Sequence, residues 1–372
     1  MSIRPNNSAD PEPLEAILLV GGQGTRLRPL TIGMPKPLLP TAGVPFLAHQ
    51  LARAAMSGVT RVVLATAYRA EMFEECLGDG SAFGLEISYV HEEVPLGTAG
   101  AIRNAATGLH SEPESPVVVL NGDILSGHDL AAQLDLHCKA DAAVTLHLVE
   151  VPDPARFGCV PTDTAGRVTA FLEKTPDPVT SRINAGCYVF RRQVIDEIPI
   201  GRVASVERET FPALIDAGAV VLGYLDNSYW LDVGTPEAFV RGSCDLVLGR
   251  LRSAALPDLP GVPGEAMVLA GATVEAGATV EGGTVVGEGS VIAAGARVTG
   301  SVLFEGVRVG TGARVNDSVI GRGALIDAGV VLDGVVIGEN SRIAAGNELC
   351  AGVRIWPGVE LGPLSIRFST DT

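Results

Sequence analysis

The chain has 372 residues, enough for two domains, and its 47% hydrophobic and 19% charged content describes a globular protein with a large core. Its formal charge of −16 argues against a nucleic-acid partner, which needs a basic face, and no apolar run reaches the length of a membrane span. Six cysteines without C-x-x-C spacing read as reduced thiols of a cytoplasmic protein, not as disulfides or zinc ligands.

Residues 1–14 are polar, with Pro5, Pro11 and Pro13 and no apolar h-region, and read as a disordered leader without a signal peptide. The run from Ala16 to Val20 lacks alternation and reads as a strand buried on both faces. It leads into Gly21-Gly22-Gln23-Gly24-Thr25-Arg26-Leu27-Arg28 and then Pro35-Lys36-Pro37. Glycines after a buried strand let backbone amides approach a phosphate, and Arg26, Arg28 and Lys36 can neutralise a polyphosphate there. A tight turn with surface cations explains the glycines equally well. The stretch matches neither the Rossmann fingerprint nor the P-loop.

Strands at 15–20, 61–66, 85–90 and 117–121 alternate with helices at about 45–57, 70–77, 98–109 and 128–139. That order predicts a mostly parallel sheet covered on both faces, with ligands beyond the carboxyl ends of its strands. Before the third helix, Glu92 and Glu93 precede Pro95-Leu96-Gly97-Thr98-Ala99-Gly100, where Thr98 can simply cap the helix. A carboxylate there could also accept from guanine, which presents two adjacent donors where uracil and thymine present one.

Asp123 follows a buried apolar strand and Gly122, and Asp232 lies in Trp230-Leu231-Asp232-Val233-Gly234-Thr235-Pro236 after a second β-like run. Either is an ordinary turn residue by itself. Together they are hard oxygen ligands of the number that Mg²⁺ takes alongside substrate phosphates. Between them, Phe157-Gly158, Glu173-Lys174 and Asn184-Ala185-Gly186 read as strand ends carrying polar residues. Only three lysines occur, Lys36, Lys139 and Lys174, so a retained lysine marks a place where a compact ammonium is wanted.

From about residue 268 aliphatic residues recur every six positions with occasional steps of five: 268, 274, 280, 286, 292, 298 and 304, then 309 to 361. This is a hexapeptide-repeat parallel β-helix of between five and six coils. Hexapeptide acyltransferases usually need a histidine base, and every histidine here lies at or before His147, so the repeat reads as a scaffold or assembly surface.

The motifs at Gly21–Thr31, Pro35–Pro37, Leu96–Gly100, Asn121–Asp123, Phe157–Val160, Glu173–Lys174, Asn184–Tyr188 and Trp230–Pro236 occur in one order across roughly 16–240. In that order they resemble the sugar-nucleotide pyrophosphorylases, and Glu92-Glu93 with Ser205–Pro212 resemble their mannose-1-phosphate guanylyltransferase branch. One departure is Thr175, where many relatives carry proline after the Glu-Lys pair.

The resemblance implies a Rossmann-like, GT-A-like nucleotidyltransferase domain at 15–250, a linker at 251–266 and a left-handed β-helix at 267–372 that assembles a homo-oligomer, a dimer or tetramer. It implies GTP and mannose 1-phosphate as substrates, GDP-mannose and pyrophosphate as products, and Mg²⁺ as cofactor. By the same resemblance Leu19, Gly21, Gly22, Gly24, Thr25, Glu93, Gly97, Thr98 and Asn121 take the nucleotide. Arg26 and Lys36 hold its outer phosphates, and Asp123 and Asp232 bind the metal. Lys174 faces the sugar phosphate, and Gly158, Glu173, Asn184 and Gly186 recognise the hexose. A relative with another hexose or nucleotide, or a silent regulatory subunit, is the alternative.

Overall fold

The computed structural model describes residues 13–256 and 265–367. The predicted leader up to residue 12 and the middle of the predicted linker, 257–264, lie outside the described residues. The chain runs β1 (Leu14–Leu19), β2 (Pro40–Thr41), β3 (Val44–Pro45), α1 (Phe46–Met56), β4 (Val59–Thr66), α2 (Glu71–Leu77), β5 (Glu86–His91), α3 (Gly97–Ala105) and β6 (Pro116–Asn121). It continues with β7 (Ile124–Ser126), α4 (Leu130–Lys139), β8 (Val144–Glu150), β9 (Gly158–Cys159), β10 (Leu172–Glu173) and β11 (Arg182–Arg191). There follow α5 (Arg192–Asp196), α6 (Phe211–Asp216), β12 (Val221–Leu225), β13 (Trp230–Asp232) and α7 (Pro236–Val247).

β1 lies at the centre of a nine-stranded sheet of order β10-β9-β11-β6-β1-β4-β5, in which β8 adds to β11 and β12 to β8. Ala16, Ile17 and Leu18 are fully buried, as an apolar run flanked by strands on both sides requires. The run β6-β1-β4-β5 is parallel, as the alternation of strand and helix predicts. β11 is antiparallel to both β6 and β8, so the other half of the sheet is mixed. The chain goes from β1 to β4 and β5 on one side and only then to β6 on the other. That reversal is the switch point where open α/β sheets bind ligands. There the ends of β1 and β6 are paired, with Leu19 opposite Asn121.

Packing divides the chain into two compact units that do not follow sequence order. One holds the chain to Gly21, with Ala54–Asn121 and Asp129–Asn227; the other holds Gly22–Arg53, Gly122–His128 and the chain from Ser228 on. The first is the sheet and its helices. Its core gathers Phe211, Tyr188, Phe190 and Phe171, with Phe211 5.2, 6.0 and 5.4 Å from the other three rings. From Gly22 on, the signature loop thus falls in the same unit as the repeat.

The repeat consists of seventeen short strands, from Ala266–Val268 to Glu360–Leu361, in three parallel sheets of six, six and five. Successive coils are 17 or 18 residues apart, as in Val285↔Val302 and Ala266↔Thr284. Three parallel sheets built this way are the architecture of a left-handed β-helix. The inward column is the predicted one except at one place. Leu303, not Phe304, points inward, and Phe304 turns out to meet Phe239 of α7 at 6.3 Å. The correction regularises the phase, because the five-residue step then falls at 298–303, 315–320 and 332–337 alike. The early positions Val268 and Val274 are exposed, since the first coil has no coil beneath it.

Buried hydroxyls tie coil to coil at the corners. Thr284 Oγ1 accepts from the Ser301 amide at 3.2 Å, Ser301 Oγ from Ser318 at 3.1 Å, and Ser318 Oγ from Val335 at 3.1 Å. All three hydroxyl residues are fully buried, so each satisfies a backbone amide that the turn would otherwise orphan.

Candidate active site

The predicted site residues fall into two groups, one in each compact unit. The second unit carries Arg26, Lys36, Asp123 and Asp232, and the first carries Glu93, Glu173 and Lys174. Gly24 has φ of +61°, and a Cβ on it would stand 2.9 Å from Lys36 Cβ and 3.1 Å from Thr31 Cγ2. Only glycine supplies that backbone and that space. Thr31 Oγ1 donates to Gly24 O at 2.9 Å and closes the loop. Thr25–Leu27 is a 3₁₀ turn that buries Leu27 and leaves Thr25 and Arg26 exposed.

Lys36 opens a second 3₁₀ turn, Lys36–Leu38, with Pro35 before it and Pro37 inside it. The prolines fix φ and deliver the lysine stem into the interior, where it is buried. Its ammonium meets Asp123 Oδ2 at 2.9 Å, the carboxylate being 38% exposed. One end of the pair is therefore held by the fold while the other still faces solvent.

β7 and β13 pair antiparallel with Asp232 opposite Ile124, and the Val233 amide donates to Asp123 O at 3.0 Å. Asp123 and Asp232 therefore stand at the ends of two adjoining strands. Just beyond, Thr235 Oγ1 accepts from the Ala238 amide at 3.2 Å and Pro236 occupies the first turn, so α7 starts sharply. Between Asp232 and that cap lies Gly234. A Cβ there would stand 2.5 Å from Arg26 Nη2, so the missing side chain makes the seat of the Arg26 guanidinium. The sequence offered Gly234 only as part of a motif.

In the first unit the two glutamates before α3 part company. Glu92 is buried, its Oε2 accepts from the Leu96 amide at 3.2 Å, and burial pushes its carboxyl above the usual range. Glu93 is exposed. Thr98 does not cap α3, which starts at Gly97 after Leu96 without a side-chain cap. Instead its hydroxyl donates to Glu207 Oε2 at 2.7 Å and accepts from the Val206 amide at 2.9 Å. Ser205 Oγ donates to the same Glu207 oxygen at 2.7 Å. Sequence reasoning assigned Ser205–Pro212 to a branch of the family but gave Glu207 no role.

Asn121 lies over Gly186, where a Cβ would be 2.8 Å from its Nδ2. Asn184 Nδ2 donates to Tyr188 Oη at 2.7 Å while its Oδ1 accepts from the Gly186 amide at 3.1 Å. Desolvation raises the fully buried Tyr188 hydroxyl far above its usual range, so it stays protonated. Glu173 stands over Gly158, and Lys174 Nζ is 3.5 Å from Glu173 Oε1. Lys174 has φ of +49°, a left-handed backbone costly for a side-chain-bearing residue. Thr175, in place of proline, frees it from the restriction that drives a pre-proline residue to extended backbone.

Among the described residues no three His, Cys, Asp or Glu side chains gather as a metal site. Asp123 and Asp232 nonetheless suit a divalent ion, because Mg²⁺ is commonly held by one or two carboxylates plus substrate phosphates. No helix of the described residues is long and apolar enough to cross a membrane.

The second unit thus gathers a glycine-lined loop bearing Arg26, an ammonium on a carboxylate and a second carboxylate on the adjoining strand. Residues 15–247 match the family described as nucleotidyl transferase, and 262–361 match the GMPPB C-terminal domain; the chain belongs to the nucleotidyl transferase family and is an enzyme of that class. It is 55% identical over 359 residues to mannose-1-phosphate guanylyltransferase of Mycobacterium tuberculosis, covering 96% of this chain and 98% of that one. The Drosophila melanogaster mannose-1-phosphate guanylyltransferase catalytic subunit beta is 38% identical over 68% of this chain and 69% of its own. Among solved structures, HddC from Yersinia pseudotuberculosis complexed with GMP-PN aligns with a TM-score of 0.52 at 27% identity, over 62% of this chain and 98% of that one. Members of the family typically use a divalent metal.

Proposed function

We propose that the chain transfers GMP from GTP to mannose 1-phosphate, giving GDP-mannose and pyrophosphate. The observation that carries this reading is the Lys36 ammonium 2.9 Å from Asp123, with the strand of Asp232 bonded alongside through Val233. A phosphate oxygen of mannose 1-phosphate attacks the α-phosphorus of GTP in line. One oxygen–phosphorus bond forms as the bond to the β-phosphate breaks. The attacker is already an anion, so no general base is required, and the protein's task is to position two repelling anions and stabilise the charge between them.

Arg26 and Lys36 hold the β- and γ-phosphates, and the amides of Gly21, Gly22, Gly24 and Thr25 approach the rest of the nucleotide. Mg²⁺ held by Asp123 and Asp232 would neutralise part of the triphosphate charge. The exposed Glu93 accepts from guanine, while Glu92 braces the loop; Leu19, Asn121, Gly97 and Thr98 shape the floor beneath the nucleotide. Lys174 meets the sugar phosphate, and Glu173, Asn184, Gly158 and Gly186 receive the hexose.

Pyrophosphate release with Mg²⁺ tests this, using mannose 1-phosphate and glucose 1-phosphate against GTP, ATP, UTP and dTTP. We expect turnover with GTP and mannose 1-phosphate alone. Turnover confined to another pair would remove the base or hexose assignment and leave the chemistry. The six free cysteines support a reducing, cytoplasmic setting. Exposed Leu325 and Trp356 on the repeat support a homo-oligomer, a dimer or tetramer, which light scattering on the purified protein measures.

A further inference from the structure

One sheet of the β-helix carries a column of outward-facing residues, each paired with the next: Met267, Val285, Val302, Val319, Val336 and Arg354. The four valines are buried in one apolar cluster with Phe239 and Val240 of α7, and Met267 packs against it. At the last coil the column changes character. Nothing in the repeat asks for arginine there, because the inward neighbour Ile355 continues the aliphatic series unchanged.

The reason lies outside the repeat. Arg354 Nη1 donates to Arg26 O and to Arg28 O, each at 2.8 Å, across more than 300 residues of sequence but within the second compact unit. These two carbonyls bracket the end of the 3₁₀ turn Thr25–Leu27, where Arg28 is the C-cap. Carbonyls at the end of such a turn lack partners within it, and a cation is the favoured partner for them. One guanidinium nitrogen thus fixes the backbone on both sides of Leu27. The Arg26 side chain is left to its seat against Gly234.

We propose that Arg354 is a positioning residue for nucleotidyl transfer, holding the backbone of the phosphate loop so that Arg26 is aimed before GTP arrives. The inference rests on the nucleotidyl-transfer reading of Arg26 given above. It makes the last coils of the β-helix part of the catalytic apparatus, acting through the loop and not on substrate. Preorganisation of this kind removes the need to order the loop at the moment of reaction. Its loss should fall on GTP and spare the sugar phosphate.

The test compares Arg354→Lys, Arg354→Met and Arg354→Val in the full-length protein. Valine restores the apolar column, and methionine keeps much of the stem; neither can donate to the carbonyls. Lysine keeps a cationic donor for them. If Arg354 positions the loop, Met and Val lower kcat/KM for GTP by about tenfold or more. The KM for mannose 1-phosphate and the melting temperature should hold, and Lys should recover most of the loss. A residue that served packing alone would give the opposite order, with Val and Met active and Lys impaired, and that order would overturn the proposal. Hydrogen exchange of the amides of residues 25–32 gives a second readout that needs no turnover. Faster exchange in Met and Val than in wild type and Lys is expected, and unchanged exchange would overturn the clamp. If the wild-type protein turns over no nucleotide, the functional reading fails, while the exchange experiment still decides whether Arg354 holds the loop.

Discussion

The two groups of predicted site residues, one in each compact unit, are built by different means. In the first unit several polar side chains are committed to the protein's own hydrogen bonds, Glu92 to the Leu96 amide, Thr98 to Glu207 and Val206, Asn184 to Tyr188 and Gly186, while Glu93 and Lys174 stay exposed. In the second unit the charges are placed by shape. Gly24 makes room for the Lys36 stem and Gly234 for the Arg26 guanidinium, and the exposed Arg26 and half-solvated Asp123 keep faces open to a ligand. A surface that reads a base or sugar gains from being rigid before binding. A surface that stabilises transferring phosphoryl charge must keep its charges unspent until the substrate comes.

That contrast can be broken by mutation. The largest effect should come from Asp123→Asn, which leaves Lys36 a hydrogen-bond acceptor but removes the charge proposed to bind the metal. Turnover should fall by about a thousandfold with the melting curve little changed, and activity within a few-fold of wild type would dissolve the metal assignment. Next is Gly234→Ala. Its new methyl group meets first the far end of the Arg26 side chain, so the fold should survive while kcat/KM for GTP falls by about tenfold to a hundredfold. A matching drop in melting temperature would show that Gly234 serves the fold instead.

Thr98→Val probes the other half. It strips Glu207 of a donor and the Val206 amide of its acceptor, which should cost about 1–3 kcal/mol of stability. Its kinetic effect should appear in the KM for GTP with kcat preserved, as expected for loss of uniform binding. Equal losses in kcat and in kcat/KM would erase the distinction between the halves.

The smallest effect concerns Glu92. Burial raises its folded-state pKa above the ordinary 4.5, so its protonated form is favoured in the fold. Its stabilising contribution is fully present below the unfolded value and is lost as pH rises through the folded one. Glu92→Gln keeps an acceptor for Leu96 and cannot ionise. The melting temperature of the variant relative to wild type should therefore be higher at pH 7 than at pH 4, and a pH-independent difference would remove burial as the cause.

Much of this was legible in the sequence, for identifiable reasons. The strands β1, β4, β5 and β6 announce themselves as apolar runs, and the repeat as a phase of six, because burial imposes a period on side chains. The Leu303 register error arose where two large apolar residues adjoin and periodicity cannot choose between them. The antiparallel insertion of β11, the Thr98–Glu207 bond and the Arg354 clamp left no such trace. Each joins segments that are distant in the chain, and single polar residues carry no period. Of the site, the glycines, Lys36 and the paired aspartates were visible as motifs. The seats of Arg26 and Lys36 were not, since a steric notch is defined by what approaches it.

The corner hydroxyls of the β-helix carry a lesson about inheritance. Thr284, Ser301 and Ser318 each serve an amide seventeen residues ahead. An insertion of less than a whole coil at these corners would strand a buried amide and shift every later residue off its column. Whole coils can be copied or deleted, and parts of coils cannot. The length of the domain is therefore quantised, and its reach can change over evolutionary time only in steps of about one coil, roughly the spacing of adjacent β-strands, ~4.8 Å.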